Sequence, residues 1–440
     1  MKHFKILILS CCLLISGFLL FGCAGEEGGN KDDVETVPEP AISYSITYHL
    51  DGGFLEELNP SSYKNIDDLK DIKNPTKQNN EFLGWYLDSD FETSLNDLSS
   101  SPNKNIELFA KWMWYDLNSS QDMLNIKVNC NYRLTNNIDM SGIYNYNPIG
   151  NTANPFVGIF DGQGYKISNL TITKNNEGEI GLFGAVKNAN IKNLALNTIS
   201  LINNDADNAG VLAGYSSYSQ YETLSLRDIN INVSNTSSSS VGGLIGNSYN
   251  DNLYKCAITG HNNTLKYTNS YSGYSEVGGF IGNSNSTLKV CYSLVDVVCD
   301  GGDSNNCNFR VGNFIGENDS NGNINQVFSV GSSNTATCAY ATTGGFVGIN
   351  RGIILNFYTD SYPHVYSSNH GGYNVKSGVV IGSQLGVVGN GYRYSVIDTT
   401  YPYAKNIDDI SILWDKNYMT ETMKFNDPSW KFLENYYPYF

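Results

Sequence analysis

Few groups in this 440-residue chain are reactive: nine cysteines, five histidines and one short loop carrying two aspartates. Cys299 and Cys307 flank the loop Asp300-Gly301-Gly302-Asp303-Ser304-Asn305-Asn306, and a disulfide between them would close it. Cys338 competes as a partner, and spacing alone leaves the pairing open. Asp300 and Asp303 also offer oxygens to calcium. That ion wants about six to eight oxygen ligands, and the spacing fits no EF-hand, so a solvated loop is the simpler reading. No Cys-x-x-Cys or His-Glu-x-x-His run is present, and His364 and His370 have no evident serine or cysteine partner. Gly162-Gln163-Gly164 lacks a third spaced glycine and no Gly-Lys-Ser/Thr follows, which excludes a phosphate loop. The sequence therefore points to no cofactor, no metal and no catalytic centre.

These residues sit among repeats. A glycine, two or three apolar residues and a second glycine recur as Gly181-Leu182-Phe183-Gly184, Gly210 to Gly214, Gly243 to Gly246, Gly279 to Gly282, Gly312 to Gly316, Gly345 to Gly348 and Gly378 to Gly382. The closing glycines are 30 to 36 residues apart, a period that marks a stacked, quasi-one-dimensional architecture. A second pattern has apolar residues at offsets zero, three and five: Ile167/Leu170/Ile172, Ile191/Leu194/Leu196, Leu226/Ile229/Ile231 and Leu253/Cys256/Ile258. It continues as Leu288/Cys291/Ser293, Ile324/Val327/Ser329 and Ile354/Phe357/Thr359. The last two members alternate as a strand does, and the initial offset of three fits a corner, with Asn169, Asn193 or Asn356 just before the second member. Asparagine tolerates the left-handed backbone that such a corner needs. The chain is read as all-β, a parallel β-helix over residues 113–400, with Cys256 and Cys291 as small buried hydrophobes.

Aligned on these triplets, Asp228 falls beside Asn193 and Lys255 and then Val290, so no acidic column forms for a polysaccharide lyase or hydrolase. The residue after the second triplet member should point outward. On three successive coils it is Tyr292, Phe328 and Tyr358, a strip that either binds a sugar or protein partner or only braces the sheet. Open solenoid ends need covers. Gln121 to Ile126 fits the first, and an aromatic segment within 401–440, with Trp414, Met423, Phe425, Trp430 and Tyr436-Tyr437-Pro438-Tyr439-Phe440, reads as a plug on the second.

The amino terminus has a basic start, Lys2 and Lys5, and an apolar run from Ile6 to Phe21. That run is short of the roughly 20 residues of a comfortable span and reads as a secretory signal over residues 1–22. Its end, Leu20-Phe21-Gly22-Cys23, resembles a bacterial lipobox. The resemblance implies diacylglyceryl attachment at Cys23, giving a membrane anchor without a transmembrane helix; each buried methylene adds about 0.8 kcal/mol. Residues 23–41, glycine-rich and acidic with Pro38-Glu39-Pro40, read as a disordered tether. Loss of Lys2 and Lys5 would take the formal charge from −16 to −18, which argues against nucleic-acid binding by counterion release.

Residues 42–112 have a different texture. Ser45 to Leu50 alternates into Asp51-Gly52-Gly53, then come Gly84-Trp85-Tyr86 and Phe109-Ala110-Lys111-Trp112. These pieces resemble the internalin B-repeat, or Listeria–Bacteroides repeat, which implies a small β-grasp-like module of bacterial surface proteins, and so small a domain needs Trp85 and Trp112 in its core. From Asp122 onward, Asn131 to Gly142, Phe156 to Gly164 and the glycine phrases resemble the GLUG-motif family of bacterial surface proteins. That resemblance implies a right-handed β-helix. The copies at Gly312 and Gly378 depart from it and predict local loop changes.

Together these features predict a lipid-anchored protein of the bacterial cell envelope, surface-exposed and non-catalytic. Its role would be adhesion or ligand capture, with glycans or host and cell-surface proteins as partners. A carbohydrate-active β-helix enzyme and a purely structural envelope protein are the alternatives.

Overall fold

Glycine, asparagine and β-branched residues crowd the chain from Trp114 onward, and there it forms strands rather than helices. The computed structural model describes residues 42–440 apart from 78–79, 175–177, 261, 270–271, 302–305, 332–333, 339, 361–362, 368–374, 379, 395–404, 408–414 and 433–437. Cys23, the signal and the tether precede these residues.

The amino-terminal module is a four-stranded sheet in the order β2-β1-β4-β3. Its strands are β1 (Tyr44–His49), β2 (Ser62–Tyr63), β3 (Phe82–Tyr86) and β4 (Ile106–Trp112). β1 and β4 are parallel, and β2 and β3 flank them antiparallel. Trp85 and Trp112 are 4 % and 2 % exposed and fill its core with Ile46, Leu69 and Leu108. The Asp51-Gly52-Gly53 turn is shaped by that packing: a Cβ on Gly53 would lie 2.5 Å from the Trp112 ring.

From Trp114–Leu117, which pairs with Asn131–Leu134, the chain becomes a parallel β-solenoid. One of its faces is a seven-stranded parallel sheet running from Glu179–Ile180 through Asn208–Gly210, Ser239–Gly242, Ser272–Gly278, Asn306–Gly312 and Tyr340–Gly344 to Val375–Gly378. The short helix Ser120–Met123, capped by Ser119, places Met123 at the start of the solenoid core.

The glycine phrase turns the chain from this sheet to the next. Gly210, Gly242, Gly278, Gly312, Gly344 and Gly378 pair in register. The frame from Gly210 onward is thus Gly-x-apolar-apolar-Gly. The predicted loop changes at Gly312 and Gly378 do not exist; they came from starting the phrase one residue late at Gly243, Gly279 and Gly345. The first apolar member points inward, and Phe280, Phe314 and Phe346 stack at 4.8 and 5.1 Å with rings within 6° of parallel. The closing glycine has no room for a side chain: a Cβ on Gly246 would lie 2.6 Å from the backbone of Ala209 and of Gly214.

Left-handed backbone falls instead on other residues. Asn193, Thr223, Lys255, Val290, Gln326, Asn356 and Asn390 form one corner column with φ of 52 to 56°. A second corner follows five residues later at Asn169, Thr198 and Asp228, with φ of 54 to 58°. Each corner carries its own offset triplet, so the sequence alignment had merged two columns. Leu226/Ile229/Ile231 stacks on Leu196/Ile199/Leu201, whereas Tyr221/Leu224/Leu226 continues Ile191/Leu194/Leu196. Asp228 therefore lies beside Thr198, and Thr223 takes the place beside Asn193. The column that holds Cys256 and Cys291 reads Leu194, Leu224, Cys256, Cys291, Val327 and Phe357, all buried.

A carboxylate is among the buried polar groups. Asp251 sits at a register shift between Tyr249 and Asn252 and is fully buried. Its carboxylate accepts from the Ser219 N–H at 2.8 Å and from the Ser248 hydroxyl at 2.7 Å, and Ser286 accepts from its own N–H at 2.9 Å. Burial dominates and pushes the carboxyl up to about 6, against the pull of these hydrogen bonds. A folded-state pKa above the unfolded value means stability fully present below about pH 4 and lost as pH rises through about 6. At about 1.4 kcal/mol per pKa unit, and with about one unit between pH 5 and the folded-state value, the solenoid should be more stable at pH 5 than at pH 8 by up to about 1.4 kcal/mol. Asp251→Asn should remove that difference in urea denaturation; equal pH dependence in parent and variant would contradict this role for Asp251.

Candidate binding face

Parallel register puts the same position of every coil in one column, so an outward column is a continuous surface. The charged column runs Asp116, Arg133, Asp161, Lys192, Glu222, Tyr254 and Lys289. Signs alternate, as they must where like charges would otherwise face each other at strand spacing. Arg133 Nε lies 2.5 Å from Asp116, and Lys192 Nζ lies 3.7 Å from Asp161.

Three residues after Lys192, Glu222, Tyr254 and Lys289 runs a second outward column: Lys166, Ala195, Ser225, Ala257, Tyr292, Phe328, Tyr358 and Tyr392. Tyr292 and Phe328 stack at 4.6 Å with rings 4° apart. The predicted exposed strip is not exposed, however: Tyr292 is 8 % accessible and Phe328 and Tyr358 are 1 %. Met419, Met423, Phe425 and Trp430 cover it and build a second hydrophobic core outside the solenoid. The carboxyl-terminal aromatic segment is thus a strap along the side, where an end plug was expected; Trp414, Tyr436 and Tyr437 lie outside the described residues. The reason is geometric. The column of four aromatic side chains is a continuous apolar stripe, and the segment buries it.

The strap is tied to the charged column. Asp427 accepts from Lys289 Nζ at 2.7 Å and from the Tyr254 hydroxyl at 3.0 Å, and Gln326 pairs with Asn426 and with the Asp427 N–H. Burial would raise the Asp427 carboxyl, but the hydrogen bonds from Lys289, Ser429 and Tyr254 outweigh it and hold it at about 2.

At the other end of the same column the floor is small, and a groove of about 470 Å³ stays open there, lined by Gln163, Asn193, Ala195, Thr223 and Ser225. Its walls carry amides and hydroxyls. Asp161 below it is engaged by Asn193 at 3.1 Å and by Lys192.

A charge cluster went unnoticed in the sequence. Glu276 and Glu317 share Arg310, which lies 3.0 Å from Glu276 and directly against Glu317, and Arg351 Nε lies 2.7 Å from Glu317. Burial pushes the Glu276 carboxyl up while Arg310 pulls it down. A signal existed. The residue two before each opening glycine runs Asn208, Ser240, Glu276, Arg310, Thr342 and Lys376, the column along which Glu276 and Arg310 pair.

Of the remaining predicted positions, Cys299, Cys307 and Cys338 are all buried, and the Cys338 thiol hydrogen-bonds that of Cys307. The loop thus brings Cys307 to the competing partner, Cys338. Asp300 ends a strand between Thr268 and Thr337, and Asp303 lies outside the described residues. Among the described residues no group of three or more His, Cys, Asp or Glu gathers for a metal.

Residues 44–111 match the Listeria-Bacteroides repeat domain. Halomucin of Haloquadratum walsbyi is 32% identical over 130 residues, 27% of this chain, and the match spans 1% of halomucin's length. A crystal structure from Bacteroides ovatus named as a candidate immunoglobulin A1 protease covers 74% of this chain and 91% of its own at 16% identity and a TM-score of 0.44. An IgA1 protease structure covers 76% of this chain and 26% of its own at 12% identity and a TM-score of 0.42. The chain is a surface-type repeat protein that joins a Listeria-Bacteroides repeat domain to a β-helix.

The strap's attachment can be tested at its one buried charge. Asp427→Ala should leave Lys289 unpaired and cost about 2 kcal/mol. Freed, the strap should uncover the aromatic column, so a hydrophobic dye should fluoresce more strongly with this variant than with the parent at equal concentration. An unchanged melting temperature and dye signal would show that Asp427 does not hold the strap.

Proposed function

We propose that this chain is a non-catalytic binding protein of the bacterial cell envelope, anchored by lipid on Cys23, that captures glycans or proteins of a host or cell surface along its side. The observation that carries this reading is the open groove at Ala195 and Ser225: a floor of small side chains between neutral amide and hydroxyl walls. Such a lining recognises hydroxyl and amide groups without supplying acid, base or nucleophile. The Listeria-Bacteroides repeat domain, the glycine phrases of GLUG type and the local similarity to halomucin support display at a cell surface.

The enzyme reading draws on Glu276 and Glu317, the carboxylates gathered on adjacent coils. Each is held by a guanidinium. Glycoside hydrolysis needs one carboxyl free to give a proton and a second free to take one or to attack. The charged pairs of this face are better suited to holding coils together.

Two experiments separate the parts of this proposal. Ser225→Phe should fill the groove and abolish binding to an array of glycans and surface proteins while melting as the parent does; retained binding would remove the groove from the function. Cys23→Ser should move the chain from the membrane fraction to the soluble fraction, and a variant that stays in the membrane would refute lipid anchoring at that residue.

A further inference from the structure

A second concavity lies where the module meets the solenoid. The Asp51-Gly52 turn abuts the segment around Val157: a Cβ on Gly52 would stand 4.0 Å from the Val157 carbonyl oxygen. Between this turn and the corners at Asn188 and Tyr218 is a cleft of about 280 Å³. It shares no lining residue with the side groove. Its size falls just below the range of about 300–1,000 Å³ for drug-sized ligands, which suits a single sugar ring.

The cleft is built on a fixed floor. Lys77 is 8 % exposed; its ammonium donates to the Asp51 carbonyl oxygen at 2.9 Å and to Asn131 Oδ1 at 3.1 Å, and lies 5.8 Å from the Trp112 ring centre. Asp51 is exposed and lines the cleft. The cleft walls desolvate it and raise its pKa, while Lys77 and Lys192 pull the other way. The side chains of Asn188, Asn190 and Gln220 line the same space and hydrogen-bond no described residue.

Tyr218 is the telling residue. Its φ is 54°, in a corner column whose neighbours are Asn188 at 49° and Asn250 at 53°. Asparagine enters that region readily, whereas a bulky aromatic residue there is strained. The residue is nevertheless 50% exposed, lines the cleft, and its ring is braced edge-on by Tyr249 at 5.6 Å. An exposed aromatic residue beside amides that hydrogen-bond no described residue is a surface that a ligand can cover.

We propose that this cleft is a saccharide site that seats one neutral pyranose ring against the face of Tyr218, with Asp51, Asn188, Asn190 and Gln220 hydrogen-bonding its hydroxyls. The apolar C–H face of a sugar matches an aromatic plane, its hydroxyls donate to a carboxylate, and amides serve either role. The opposed charges of Asp51 and Lys77 leave the site close to neutral, which favours an uncharged ring over an anion or cation.

The test is titration of the full chain in detergent with the methyl glycosides of glucose, galactose, mannose and N-acetylglucosamine, by calorimetry and saturation-transfer NMR. At least one should bind. Tyr218→Asn places in this corner the residue that its column neighbours already carry. It should melt no lower than the parent, yet weaken binding by about tenfold or more. Asp51→Asn should weaken binding similarly. The site is overturned if none of the four glycosides binds at about 10 mM, or if Tyr218→Asn binds as well as the parent.

Discussion

Each coil of the solenoid satisfies its backbone hydrogen bonds with the coils before and after it, in parallel register, at about 4.8 Å. That constraint governs everything else. A residue meets its own counterpart on the next coil, so every column must tolerate itself. Inside, Phe280, Phe314 and Phe346 do so by stacking face to face. Amides do so by forming a ladder, as Asn318 Nδ2 donates to Asn350 and Asn350 donates in turn to Gln384. Outside, charges do so by alternating in sign, from Asp116 and Arg133 to Asp161 and Lys192. Where the backbones themselves approach, only glycine fits, and the closing glycine of each phrase is the result.

The same rule explains how one outward column has two fates. Where it carries Tyr292, Phe328, Tyr358 and Tyr392, the stacked rings form a long apolar stripe that water would solvate poorly, and the carboxyl-terminal strap seals it. Where it carries Ala195 and Ser225 there are no stacked rings to cover, and a groove stays open. Lys289 joins the two halves, since it belongs to the charged column and also holds Asp427 of the strap. The cleft beside Tyr218 and Asp51 lies where the solenoid meets a module that does not share its repeat.

Much of this was legible in the residues. The spacing of the glycine phrases gave the coil length, and the offset triplets identified inward positions and corners. Asp51-Gly52-Gly53, Gly84-Trp85-Tyr86 and Ala110-Lys111-Trp112 marked the module, with Trp85 and Trp112 inside it. The misplaced columns share one cause, a register slip along the coil. Two corners five residues apart carry the same offset pattern, so Leu226/Ile229/Ile231 was set on the wrong column and Asp228 beside the wrong neighbours. Starting the phrase at Gly243 rather than Gly242 turned a regular frame into apparent departures at Gly312 and Gly378. The frame error also broke the count that would have set Glu276 beside Arg310.

By itself, the sequence determined the repeating unit, because periodicity is local and each coil must present the same kind of face to its neighbour. It also determined that Tyr292, Phe328 and Tyr358 form one outward stack. Only the tertiary structure decided whether that stack meets solvent, because the answer depends on where residues more than 60 positions further along the chain come to rest. The same holds for Asp51, Lys77 and Tyr218. They belong to two different folds, and no period links their positions. Only the packing of the module against the solenoid brings them into one cleft.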